Sequence, residues 1–237
     1  MEEIPLTGGR VTQGVVRKGG YVYRPCCANA DFVHRVLRWL ERKRCFAAPR
    51  FIGIAQDGRE VTTYLEGESP DNLGCFNDAQ LYAAGQIIRE LHDALSDFPA
   101  ISDAQAFGQT VCHNDLSPCN FMFRNGLPYA VFDWDAAQTG DPLDDVAYAA
   151  WMWCDIGNAD NTPADAGHKI KVLLDAYGLP NKTRARLIEH IHAQMRRVAL
   201  SAFAAHTPQW DACGQWAEAC DKWLYEHQNE ITSGELP

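Results

Sequence analysis

At 237 residues, 46% of them hydrophobic and 22% charged, the chain is long enough for one large domain or for a small lobe joined to a larger one. Acidic residues outnumber basic ones 31 to 21 and the excess is uneven, with 13 acidic and 12 basic residues before position 101 and 18 and 9 after it. That balance argues against a nucleic-acid or anionic-membrane partner and leaves room for a cationic small molecule near the C-terminal part, although charge alone favours a merely solvated surface. Nine scattered cysteines do not resemble a disulfide framework and suggest a reducing compartment. Cys112, His113 and Cys119 lie close together without paired C-x-x-C spacing, so they read as buried thiols rather than zinc ligands. The Met-Glu-Glu start has no signal-peptide pattern, and the longest apolar run, Val146 to Cys154, is too short for a membrane span. The expectation is a soluble, cytoplasmic protein.

In chain order, residues 6–24 read as glycine-punctuated strands, with Lys18-Gly19-Gly20 as a hairpin turn before Tyr21-Val22-Tyr23. From Asp31 to Arg44, Val33, Val36, Leu37 and Leu40 recur at helical spacing, and the arginines between them read as a solvated face. Arg50 to Ala55 and Glu60 to Leu65 flank Asp57-Gly58, a strong hairpin signal. A boundary is expected at Glu66-Gly67-Glu68-Ser69-Pro70, dividing a β-rich lobe, 1–66, from a mainly helical one, 67–237. Asn77 with Gln80 forms a partial capping box ahead of the stripe Leu81, Ala84, Ile88, Leu91 and Leu95. Thr139 to Pro142 reads as a turn, followed by a helix over 143–153 whose apolar character predicts burial on most sides. Three more helices follow by periodicity, and the last carries an aromatic stripe through Trp210, Trp216 and Trp223 that reads as core.

The most informative stretch is Val111 to Asp135, VCHNDLSPCNFMFRNGLPYAVFDWD, where His113, Asp115, Asn120 and Asp133 are set among short apolar strands. The spacing Asp-Leu-x-x-x-Asn, with a His two residues ahead of the Asp, matches the catalytic loop of kinases. Asp133 follows after a hairpin's length of chain, where kinases keep the aspartate that holds magnesium.

Together with the TGDPLDDVAY that follows, Leu91-His92-Asp93 and Tyr23-Arg24-Pro25, this segment resembles the aminoglycoside phosphotransferase family, relatives of protein kinases that phosphorylate small-molecule hydroxyls. The resemblance implies an α+β, protein-kinase-like two-lobed fold, with a small β-rich N-lobe and a larger, mainly helical C-lobe. It implies ATP or GTP with Mg2+ as cofactors and a small hydroxylated molecule as partner. Phosphoryl transfer needs hard oxygen ligands for magnesium and a separate carboxylate to take the hydroxyl proton. Asn120 and Asp133 suit the metal and Asp115 the base. His113 is expected to pack the loop, Asp135 to cap a turn rather than reach a second magnesium, and Asp145 to brace the loop.

Arg24 and His34 stand where kinases usually have a phosphate-binding lysine and the glutamate that orients it, and Arg24 is expected to grip phosphate in the lysine's place. Gly8 and Gly9 are candidate phosphate covers, though a hairpin turn would account for them as well; Thr63 and Leu65, leading into the hinge, complete the candidate nucleotide contacts. Asp155 and Asp160 are candidate partners for a cationic amino sugar or amino alcohol, and each singly reads as a loop charge. A competing reading is a non-catalytic nucleotide-binding regulatory protein on the same scaffold. Neither the acceptor, the choice between ATP and GTP nor the oligomeric state is fixed by the sequence.

Overall fold

The computed structural model describes residues 2–6, 12–70, 73, 75–99 and 109–234; Gly8 and Gly9 lie outside that set. The first part of the chain forms an antiparallel sheet of five strands in the order β1-β2-β3-β5-β4, comprising Ile4–Pro5 (β1), Val16–Lys18 (β2), Tyr21–Arg24 (β3), Phe51–Ile54 (β4) and Glu60–Thr63 (β5). Helix α1, Ala30–Arg42, crosses between β3 and β4. It buries the predicted stripe of Val33, Val36, Leu37 and Leu40, with His34 added. Its arginines do more than meet water. Arg35 lies over the rings of Phe32 and Phe98, and Arg38 over Phe51, so aliphatic stems and guanidinium faces cover aromatic surface.

The sheet is sewn to the rest of the molecule by main-chain bonds. After β5 the segment at Glu66–Glu68 runs beside β7, Phe121–Arg124. Glu68 donates to the Phe123 carbonyl at 3.1 Å and accepts from the Phe123 amide at 2.7 Å. The Tyr129 hydroxyl donates to Glu66 O at 2.8 Å. The approach requires a glycine. Gly67 has φ +149°, and a Cβ there would sit 2.1 Å from Phe123 O. Val131 of β8, Leu127–Val131, donates to Ala47 O at 2.7 Å and makes a second seam.

The remainder is helical: α2 (Asp78–Leu95), α3 (Pro142–Trp153), α4 (Pro163–Tyr177), α5 (Asn181–Arg184), α6 (Leu187–Ala204) and α7 (Pro208–Gly234). The Asn77 capping box is complete, with side chain and backbone exchanged between Asn77 and Gln80. Helix α3 is buried at every position from Asp145 to Trp153. One apolar core runs from Val33 of α1 to Ile231 of α7. The expected turn at 139–142 is instead a short strand, β9 (Gln138–Gly140), paired with β6 (Thr110–Cys112). The pairing is non-local, so the Thr-Gly-Asp-Pro punctuation read only its end, where Asp141 caps α3 through its bond from the Leu143 amide at 2.9 Å. No helix among the described residues is long and apolar enough to cross a membrane.

Gly67→Ala is therefore expected to destabilise the fold by about 2–4 kcal/mol, combining backbone strain with a main-chain clash. The open, positive-φ Gly58 should tolerate Ala at a cost of about 1–2 kcal/mol. Urea midpoints of the two variants check the order.

Candidate active site

A short loop after β6 is held in shape from beneath by one buried carboxylate. Asp145, 1% exposed, accepts the His113 amide at 2.7 Å on one oxygen and the Asn114 amide at 2.7 Å on the other. His92 of α2 reaches the same carboxylate at 3.1 Å, and its other ring nitrogen meets the Tyr177 hydroxyl at 2.9 Å. Burial alone would raise the Asp145 pKa, but the bond and charge of His92 and the Asn114 amide prevail and hold it below the ordinary carboxylate range. Asn114, whose φ is +64°, turns the chain so that Asp115 faces away from this brace. His113 uses both ring nitrogens. Nδ1 lies 3.3 Å from the Asp115 amide and Nε2 lies 3.0 Å from Phe132 O. That network assigns a neutral ring accepting at Nδ1 and donating at Nε2, which makes it a strut rather than a base.

Asp115 is addressed from one side. The Tyr148 hydroxyl of α3 donates to its Oδ1 at 2.9 Å and Ser117 Oγ to the same oxygen at 3.2 Å. Oδ2 has no hydrogen bond among the described residues. Burial, and then the Asp115 charge, push the Tyr148 phenol well above its usual pKa, so it stays a donor. Asn120 closes the loop: its Nδ2 donates to Asp115 O at 2.9 Å, which leaves Oδ1 as the unbound end of the amide. Its carbonyl accepts the Phe132 amide at 2.9 Å, bringing the loop beside Asp133. Asp133 has φ +62°, in the left-handed region that Asp and Asn enter more readily than other non-glycine residues.

Arg24 meets this carboxylate from the sheet. Its Nη1 donates to Asp133 Oδ1 at 3.2 Å, its Nη2 pairs with Asp135, and its Nε lies 3.1 Å from Glu60 Oε1 without the angle of a hydrogen bond. Asp135, expected at a turn, lies in the short helical turn 134–136 and is also an ion-pair partner. His34 does not orient Arg24 directly. It meets Glu60 Oε2 at 2.6 Å, and Glu60, opposite Arg24 in the β3–β5 register, joins the two. Sequence reasoning missed Glu60 because strand pairing, not helix spacing, brings it there.

A model of the phosphotransferase enzyme family matches residues 99–188. The trifolitoxin immunity protein of Rhizobium leguminosarum bv. trifolii is 29% identical, with 97% of each chain covered. Among solved structures, a choline/ethanolamine kinase family protein from Mesorhizobium loti superposes with a TM-score of 0.66 at 16% identity, covering 98% of this chain and 91% of that one. A GDP complex of aminoglycoside 2'-phosphotransferase-IIIa gives 0.66 at 14%, covering 94% and 93%. The chain has the two-lobed, protein-kinase-like α+β fold of these solved structures, and residues 99–188 carry the pattern of the phosphotransferase enzyme family.

In this phosphotransferase fold a cavity of about 350 Å³ lies at the C-terminal end of α3, lined by Leu73, Trp151, Met152, Asp155, Ile156 and Trp216 among others. Trp216 stacks on Trp151 with centroids 4.9 Å apart. It remains 38% exposed, so that part of the aromatic stripe expected in the core faces the cavity instead. Trp151 in turn meets the ring of Tyr148 edge-on at 5.9 Å. Asp155 lines the cavity and accepts from Asn158 at 2.9 Å. Asp160 lies on the same loop, exposed and outside the lining. Thr63 turns its hydroxyl to the Arg50 amide at 2.9 Å, and Leu65 is half-buried beyond it. Arg197 of α6, which no motif singled out, donates to Asn114 O at 3.4 Å at the rim of the catalytic loop.

Asp145→Asn removes a charge that three donors address and is expected to cost about 3–5 kcal/mol at neutral pH. Because the folded carboxyl titrates below its ordinary value, its contribution is fully present above about pH 4 and is lost as pH falls through the lower folded pKa. Denaturation midpoints between pH 7 and pH 3 should fall more steeply for the parent protein than for the variant.

Proposed function

We propose that this protein transfers the γ-phosphoryl group of a nucleoside triphosphate to a hydroxyl of a small cationic molecule, with Asp115 as general base. The carrying observation is the continuous contact from Asp115 through Tyr148 to Trp151 and Trp216, which ties the reacting carboxylate to the wall of the cavity. Tyr148 and Ser117 hold Oδ1 and leave Oδ2 to accept the hydroxyl proton as the bond to phosphorus forms. Asn120 and Asp133 offer hard oxygens that fit magnesium, since the Asn120 amide is fixed with Oδ1 outward. Magnesium held there would neutralise phosphate charge. Arg24 is the cation positioned to steady the phosphates, with a planar fork where kinases use lysine.

The cavity supports a cationic acceptor. Trp216, stacked on the buried Trp151, keeps part of its indole exposed at the cavity and Asp155 supplies a carboxylate, a pairing suited to an amino sugar or amino alcohol. The curated relative is named for immunity to a toxin, and amicoumacin kinase, a solved neighbour with a TM-score of 0.68 at 10% identity, is described in complex with AMP-PNP and Ca2+. Immunity in the one name and kinase in the other suit a phosphorylation that protects. A second reading, nucleotide binding without transfer, draws on one observation: Arg24 already pairs with Asp133, the candidate metal ligand.

Magnesium-dependent ADP release, screened over aminoglycosides, choline, homoserine and sugar amines, separates the two readings; nucleotide binding with no release across the panel would favour the second. Asp115→Ala should lower kcat by about 10²–10⁴-fold while nucleotide binding persists. Trp216→Ala should raise KM for the acceptor several-fold and leave kcat nearly unchanged, as removal of uniform binding does.

A further inference from the structure

We propose that Cys26, His34 and Glu60 form a binding site for a borderline-soft divalent cation of the zinc type, separate from the magnesium site at Asn120 and Asp133. The three residues come from different elements: the chain just after β3, helix α1 and strand β5. Their donor atoms all lie within 4.8 Å of one another, and His34 Nε2 is 2.6 Å from Glu60 Oε2. Ligand lengths of about 2.0–2.3 Å put tetrahedral neighbours about 3.5 Å apart, so small side-chain shifts close the set around an ion.

A thiol, an imidazole and a carboxylate form a donor set suited to zinc and poorly suited to magnesium, which prefers oxygen. The surroundings hold the site in shape. The His34 ring stacks on Phe51 with centroids 3.8 Å apart, which fixes the direction of Nε2. His34 and Glu60 are 7% and 4% exposed, while Cys26 is exposed and opens the site to solvent. Cys26 gives up little to bind, since among the described residues its thiol makes only a 3.6 Å contact to Gly58 O. On coordination the thiol proton goes to solvent and the imidazole proton moves to Nδ1, so that sulfur, Nε2 and Oε2 each present a lone pair.

The site is also coupled to Arg24. Glu60 faces His34 with Oε2 and Arg24 with Oε1. A cation on Oε2 draws carboxylate charge away from Arg24, the side chain assigned to the phosphates. A zinc-type ion would therefore act on the nucleotide lobe without touching the acceptor cavity.

Cobalt(II) titration of the full chain tests the proposal through the near-ultraviolet thiolate-to-metal charge-transfer band, which oxygen ligands at the magnesium site cannot produce. One equivalent should develop the band in the parent protein. Cys26→Ser, at an exposed position outside the proposed catalytic set, should abolish it and leave basal ADP release unchanged. His34→Gln, checked for native circular dichroism, should weaken binding about tenfold or more. A parent protein without the band, or a band that survives Cys26→Ser and so reports another of the nine cysteines, would overturn the assignment.

Discussion

A charge taken out of water must be matched where it lies, and in this protein two buried carboxylates impose that requirement on both halves of the site. Glu60 sits on the sheet facing Arg24 and His34. Asp145 sits at the start of α3, satisfied by His92 and two loop amides. Each removes freedom from its neighbours. Asp145 fixes the backbone at His113 and Asn114, and so the direction in which Asp115 leaves the loop. Glu60 holds Arg24 over the junction, where its remaining donors meet Asp133 and Asp135 more than a hundred residues later. Geometry at the candidate site thus follows from the cost of leaving either carboxylate unpaired.

Arginine rather than lysine at position 24 is consistent with that load. Three carboxylates converge on one side chain, and a planar fork addresses them in different directions at once, which a single ammonium could not do with the same fixed geometry. The arrangement also makes Arg24 a competitor. The Arg24–Asp133 pair joins the sheet to the segment after β8 but occupies a carboxylate suited to magnesium, so on the proposed reading metal and nucleotide would have Arg24 exchange one set of anions for another. Phosphates would then replace Asp133 and Asp135 as its partners, while Glu60 keeps the stem in place.

Local patterns carried much of this into the sequence. The stripe of α1, the Asn77 box, the hairpin at Asp57-Gly58 and the buried α3 all follow from periodicity, capping and turn chemistry, each acting within a few residues. The spacing from His113 to Asp133 was equally legible because a catalytic loop and its following hairpin are contiguous. What escaped was set by distant pairing. Glu60 faces Arg24 only because β3 and β5 are neighbours in the sheet; β9 exists only because β6 lies beside it. Trp216 shows a subtler limit: helical spacing reveals that a residue belongs to a stripe, and tertiary packing decides whether that residue meets core or cavity.

Helix α3 links these levels, since one buried element carries Asp145 under the loop, Tyr148 against Asp115, and Trp151 and Met152 in the cavity wall. Trp151 and Met152 follow Tyr148 by three and four residues, the spacing that lines up one helical face, and the interval spans about 6 Å along the axis from the contact with Asp115 to the cavity wall. On the proposed reading, an acceptor whose cationic end rests near Asp155 and whose hydroxyl reaches Asp115 would have to bridge roughly that distance and somewhat more, since Asp155 lies beyond the end of the helix. Because α3 is buried along this length it cannot adjust by sliding. Acceptor choice would then be set by length as well as charge: a molecule too short to span the interval would satisfy Asp155 or Asp115, but not both, and would lose the positioning on which transfer depends.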